Sequence, residues 1–190
     1  PRAKRGVFAF YQKSNQMKKL RSALFTCLIM TAGASQAADM PATLSITGNA
    51  TNADAACAIN INPATISLQT DVDKLMIQGS KNIASKSVKV TVSGNSECYV
   101  LLMQNHIAYR FLGTADDVDG SVLANMDTSP EAAKNVGVGL FKKDGDIINL
   151  KDIMPATGSD YIGLEMVTLK RGEATAGNVN STLTIQVERL

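Results

Sequence analysis

The sequence holds a single histidine, His106, no tryptophan, and five Phe and four Tyr as its other aromatic residues. One imidazole cannot build a His-rich metal site, and no Ser or Cys is placed by motif to be activated by it, so metal-assisted and nucleophilic hydrolysis lack their usual parts. Cysteine is sparse as well, three residues in 190. The most apolar stretch, Ala23-Leu24-Phe25-Thr26-Cys27-Leu28-Ile29-Met30, falls well short of the roughly 20 residues that span a bilayer. Gly137-Val138-Gly139 lacks the third glycine and the following helix of a nucleotide-binding loop. Asp117-Val118-Asp119-Gly120 lacks the further oxygen ligands and the distal Glu of a calcium loop, and reads as a turn. Nothing in the chain supports an enzyme, a metal site or a cofactor.

What is present begins with a leader. Met17-Lys18-Lys19-Leu20-Arg21 is a short basic segment, the apolar run follows it, and small residues end it at Ala32-Gly33-Ala34-Ser35-Gln36-Ala37. Charge, apolar centre and small-residue exit are the three parts of a secretory signal peptide. Residues 17–37 are therefore expected to be a signal peptide cut between Ala37 and Ala38, with a retained membrane anchor as the alternative. Residues 1–16 fit no part of this scheme and are set aside as an upstream extension foreign to the fold. Loss of residues 1–37 removes seven of the 19 basic residues and none of the 17 acidic ones, turning a net charge of +2 into about −5. A mildly acidic body gives no reason to expect nucleic-acid binding.

Cys27 leaves with the leader, so Cys57 and Cys98 remain. An even pair in an oxidising compartment most simply forms one disulfide. Closing a loop of about 40 residues, it contributes roughly 3–4 kcal/mol in the chain-entropy model.

Along the rest of the chain the apolar period is two, not 3.6. Val88, Val90 and Val92 alternate with polar residues, as do Ile162, Leu164 and Met166, and Leu183, Ile185 and Val187. Shorter strand candidates are 59–61, 66–68, 99–103, 109–112, 136–141 and 147–150. Turn residues separate them at 94–95, 116–120, 127–130, 143–146 and 155–159. Asp144-Gly145 between two apolar runs marks a hairpin, because glycine supplies the positive φ of such turns. No long segment shows a helical stripe, and 130–134 has room for one helical turn at most. Many short strands with regular turns predict an all-β sandwich or barrel without an internal domain boundary.

One strand stands apart. Met40, Ala42, Leu44 and Ile46, then Gly48, alternate cleanly before a small, polar stretch, 49–56, that precedes Cys57. It reads either as an ordinary edge or core strand of its own domain or as a strand offered to a neighbouring molecule.

Taken together, these residues resemble the type 1 fimbrial major-subunit (pilin) family, over nearly all of the chain after the leader. Leu44-Ser45-Ile46-Thr47-Gly48 and Ala55-Ala56-Cys57 are similar to the family's extension and first Cys strand. Val88 to Val92 before Cys98 is similar to its second. Tyr109-Arg110-Phe111-Leu112-Gly113, Asn135-Val136-Gly137-Val138-Gly139-Leu140 with Asp144-Gly145, and Ala174-Thr175-Ala176-Gly177 follow in the family's order.

The resemblance implies an incomplete immunoglobulin-like β-sandwich completed by a donated strand. It implies a donor-strand extension at 38–49 and a pilin domain at 50–190. Met40, Ala42, Leu44, Ile46 and Gly48 become the donor positions. Leu183, Ile185 and Val187 become the terminal strand that bounds the groove and meets a periplasmic chaperone, and Cys57–Cys98 the family disulfide. The implied partners are neighbouring fimbrial subunits, the chaperone and an outer-membrane usher, and the implied location is a cell-surface fimbria that contributes to adhesion. The chain departs from the pattern where Val187 stands in place of the family's penultimate Tyr and Glu188-Arg189-Leu190 follows. The alternative function is a monomeric secreted β-sandwich that binds a glycan or a host protein.

Overall fold

The computed structural model describes residues 39–50 and 57–190. The expected leader, the cleavage point at Ala37 and Ala38, and residues 1–16 lie outside the described residues. The described residues fall in one compact unit. Twelve strands run in the order β1 (Asp39–Ala50), β2 (Cys57–Asn62), β3 (Thr65–Asp71), β4 (Met76–Ile77), β5 (Lys86–Gly94), then α1 (Ser96–Met103), β6 (Ile107–Gly113), β7 (Leu123–Ala124), β8 (Val136–Phe141), β9 (Ile147–Ile148), β10 (Ile153–Pro155), β11 (Ser159–Thr168) and β12 (Val179–Arg189).

They form two sheets. The first has the order β10-β6-β12-β1-β3, and the second the order β2-β5-β11-β8-β7 with β4 added on β11 and β9 on β8. The sheets face each other across one apolar core, because each strand sends alternate side chains inward. Val88 and Val90 of β5, Ile162 and Leu164 of β11, and Leu183 and Ile185 of β12 are completely buried in this core. The expected all-β sandwich is the fold of the chain. Strand β8 is buried along its whole length, because Val122, Phe141, Val167 and Leu169 form a smaller cluster on its other side. Gly137 permits this: a Cβ there would stand 2.8 Å from the Leu123 carbonyl oxygen.

The Asp144-Gly145 turn links β8 to β9. Lys142 N–H donates to the Asp146 carbonyl at 2.7 Å, Gly145 N–H donates to Lys142 at 3.0 Å, and Gly145 has φ +85°.

Residues 99–103 correct the sequence reading. They belong to a helix, α1, and Cys98 lies on that helix, not on a strand. The Asn95 side chain caps it by accepting from the Cys98 N–H at 3.1 Å, satisfying one of the donors a helix start leaves open. Residues 130–134 make a turn closed by Ala132 N–H to the Ser129 carbonyl. Only Ile147 and Ile148 of the candidate at 147–150 are extended. The two- and three-residue strands β4, β7 and β10 carry no alternation long enough to read.

The two ends of the sandwich differ. At one end lie the last residues of β12 and β1, the first of β2 and β6, and α1. Cys57 pairs with Gly94, Arg189 with Ile107, and Leu190 N–H donates to the His106 carbonyl at 2.8 Å. The disulfide Cys57–Cys98, Cα–Cα 5.1 Å, ties α1 to the start of β2. At the other end lie the start of β12 and the end of β11, where Thr168 pairs with Ile77.

Candidate functional site

The inward side chains of β1 explain why this strand holds a central place. Met40 and Leu44 have no exposed surface, and Ala42 and Ile46 are 3% exposed. Pro41, Thr43, Ser45 and Thr47 between them face solvent. Such a strand cannot rest with that face in water: burying Met, Leu and Ile side chains is worth about 1.5–3 kcal/mol each. It lies between β12 and β3 with both edges in backbone register. Parallel to β12, Leu44 aligns with Ser181 and Ile46 with Leu183. Antiparallel to β3, Ala42 aligns with Leu68 and Leu44 with Ile66.

Lifted out, β1 leaves a groove. Its walls are β12 with Leu183, Ile185 and Val187, and β3 with Ile66 and Leu68, all nearly or fully buried. Beneath it lie residues of the facing sheet. The backbone groups of β12 and β3 that now pair with β1 would be unpaired, an edge open to another strand. Sequence reasoning named the β12 wall and missed β3. The alternation of Ile66 and Leu68 is visible in the sequence, but it does not say that β3 stands one strand away from β12. Ser181 was missed too: it is buried, and its hydroxyl donates to the Ala124 carbonyl at 2.7 Å.

Gly48 differs from the other four positions. It continues the inward face of β1 yet is exposed, and it fills no pocket. A Cβ there would stand 2.8 Å from Ile59 Cγ1 and Cδ1 and 3.1 Å from Ile61 Cδ1. Glycine lets β1 pass close to the side chains of β2.

The outer face of the same sheet is hydroxyl-rich and has one strong polar clamp. Thr47 and Thr184 share a hydrogen bond at 3.1 Å. Arg110 of β6 grips Glu188 of β12 by donating from Nε to Oε1 and from Nη2 to Oε2. The hydrogen bond from Arg110, with a smaller opposing effect of burial, holds the Glu188 carboxyl below the usual carboxylate range.

A second polar cluster sits at the end opposite α1. Asp116 is buried; burial pushes its carboxyl up, but the N–H groups of Val122, Asp119 and Val118 and the Gln78 amide bring it below its ordinary value. Gln78 is buried as well and donates to Asp116 at 3.1 Å and to Ser121 at 2.9 Å. Lys170 pairs with Asp119 at 2.9 Å, and Arg171 with Asp117 at 2.7 Å. Every carboxylate of the 116–119 run thus has a partner within the fold, which accounts for it as a loop fastening.

His106 is exposed and uses its backbone to close α1 and to meet Leu190. Among the described residues no group of three or more His, Cys, Asp or Glu is placed to hold a metal ion. The most developed site of the molecule is therefore the strand groove.

Comparison with known proteins gives two results that bear on it. A family model described as "Fimbrial protein" matches residues 44–188, from the middle of β1 to the end of β12. Among solved structures, an antigen and type I fimbria protein of Burkholderia pseudomallei is similar over 78% of this chain and 92% of its own, with 13% identity and a TM-score of 0.41. No curated protein matches the sequence.

Proposed function

The chain belongs to the fimbrial protein family and is a subunit of a surface fimbria, and from that premise we propose that it polymerises by giving its 39–50 strand to the groove of a neighbouring copy. The observation that carries this reading is β1 itself. It supplies the middle of a sheet, yet it joins the body only through the six residues 51–56 and holds its place through inward side chains and backbone pairing, both of which a second copy can offer equally.

The placement of β1 favours one direction of exchange. Within one chain β1 runs parallel to β12, so Ala50 lies beside Val187 at the α1 end, the end where Cys57 begins the body. A donated strand in that orientation would hang the donor's body at the acceptor's α1 end. The acceptor's own extension departs from that same end, so two bodies would crowd one end and no chain could grow. Reversed, the strand still turns Met40, Ala42, Leu44 and Ile46 inward, because the alternation has period two. The donor then sits at the opposite end. Each copy gives at one end and receives at the other, a head-to-tail contact that propagates into an open filament.

An open groove exposes apolar core and unpaired edges, which favours aggregation. A periplasmic chaperone that covers the groove until an outer-membrane usher hands over the next subunit suits this chemistry, as does passage through the periplasm behind a cleaved leader. Leu183, Ile185 and Val187 would meet the chaperone strand. Adhesion then belongs to the assembled fibre. A second reading, a monomeric module, is favoured by one specific feature: β1 fills the groove of its own chain.

The two are separated by mixing the full chain with a truncated chain that starts at residue 51. Strand donation predicts a stable complex of the two, seen by size-exclusion chromatography with light scattering. If the full chain stays monomeric and forms no complex with the truncated chain, β1 remains in the groove of its own chain and the monomeric module stands.

A further inference from the structure

Resting on that strand-exchange reading, we infer that the outward face of α1 is a docking surface for a second copy of this chain, the copy whose groove holds this subunit's 39–50 strand. The helix is unusual in composition. After Glu97 every residue from Cys98 to Met103 is apolar, and a helix apolar all round is normally covered all round. Here only one side is covered. Cys98 and Leu101 are buried, whereas Tyr99, Val100 and Met103 are 52%, 43% and 77% exposed. These three lie at i, i+1 and i+4, so Tyr99 and Met103, and Val100 and Met103, are neighbours on one face. Leu190, 58% exposed, ends the chain nearby, where Arg189 reaches Glu97 of the helix at 3.8 Å.

The tether says what covers this face. Cys98 of α1 is bonded to Cys57, and Cys57 is separated from the donated strand by residues 51–56 alone. Seven Cα steps reach at most about 25 Å. Whichever body holds the strand is therefore held against the α1 end of the donor, at a high effective concentration.

The receiving end of that body carries apolar groups of its own. Ile77 is 62% and Met126 49% exposed. Ile77 pairs with Thr168 at the end of β11, and Met126 N–H donates to the Asn180 carbonyl at 2.7 Å at the start of β12. The two ends of the sandwich thus both present exposed apolar side chains, which suits an end-to-end contact between copies. The disulfide makes the helix a rigid extension of the point from which the strand departs. Docking of α1 fixes the angle between successive bodies, where strand donation alone leaves a swivelling joint.

The test is a photo-cross-linking residue placed at Met103 in the full chain, with Lys89, exposed on the outer face of β5, as the comparison position. Polymer is first scored by light scattering and electron microscopy, then irradiated and mapped by mass spectrometry. Expected is a cross-linked dimer from position 103, joined to peptides around Ile77 or Met126 of the neighbour, and loss of that product at position 89. If polymer forms and position 103 cross-links no neighbour, or cross-links another face, the docking surface is refuted while strand exchange stands. If no polymer forms, the reading on which it rests falls, and the docking surface with it.

Discussion

Replacing Leu44 by Ala tests the burial of β1 at its centre. Leu44 has no exposed surface and sits between Ile66 of β3 and Ser181 of β12, above the core of the facing sheet. Removing its isobutyl group loses the transfer free energy and leaves a cavity that well-packed sheets fill only in part. Leu→Ala at such sites costs about 2–5 kcal/mol. Against a total stability of roughly 5–15 kcal/mol this is a large share. For a domain of this size it lowers Tm by about 4–20 °C, at 2–4 °C per kcal/mol.

Urea unfolding followed by circular dichroism is the assay, with Thr43→Ala as the partner measurement. Thr43 is the neighbouring position on the solvent face, where substitution changes stability by about 0.5 kcal/mol or less. Leu44→Ala should move the midpoint with little change in slope, since slope tracks the surface exposed on unfolding. A falling slope would mean that β1 has already left the folded body in the variant. If Leu44→Ala and Thr43→Ala lie within about 0.5 kcal/mol of each other, β1 does not occupy the groove, and the packing argument fails.

Two further variants check the fastenings of the fold. Asp116→Asn puts an amide donor where the carboxylate accepts from Val118, Asp119, Val122 and Gln78, so buried donors lose their acceptor and stability should fall by about 2–4 kcal/mol; equilibrium unfolding at neutral pH reads it. The Asp116 carboxyl is lowered in the folded state, so its contribution is full above the ordinary carboxylate pKa of about 4 and fades as pH drops through the folded value; a wild-type stability that stays flat below about pH 4 while Asp116→Asn is destabilised would contradict this assignment. Replacing Cys57 and Cys98 together by Ala should cost about 3–4 kcal/mol, measured as the Tm difference between oxidised wild type and variant.

The strands with sustained alternation were legible because each has one face in the core, and Val88-Lys89-Val90 or Leu183-Thr184-Ile185 states that outright. The helix α1 was not. Cys98 to Met103 is uniformly apolar, so it shows no period, and Tyr99 and Val100 favour strands; the decision lies in the Asn95 cap, outside the run, and in the bond that holds Cys98 to the distant Cys57. For β1 the pattern specified which side chains turn inward, but a period of two is blind to the sheet it enters and to its direction. Its parallel partner, β12, lies more than a hundred residues away in the chain, and no local signal connects them. Gly48 continues the same alternation, and the pattern does not show what lies beside it. The close approach of Ile59 and Ile61 to it is visible only in the folded chain.

The central claim, a groove that takes the 39–50 strand reversed from another copy, has one direct measurement. Residues 51–190 are followed by a linker of about five Gly and Ser residues and then by the 39–50 segment. Because β12 ends at α1 and is about 35 Å long, so short a linker, reaching under about 20 Å, cannot carry the segment back to the far end. The segment can enter the groove only antiparallel to β12, the orientation that a growing filament requires. The account predicts a cooperative thermal transition far above that of residues 51–190 alone. A fused chain that melts no higher than the truncated one would contradict it.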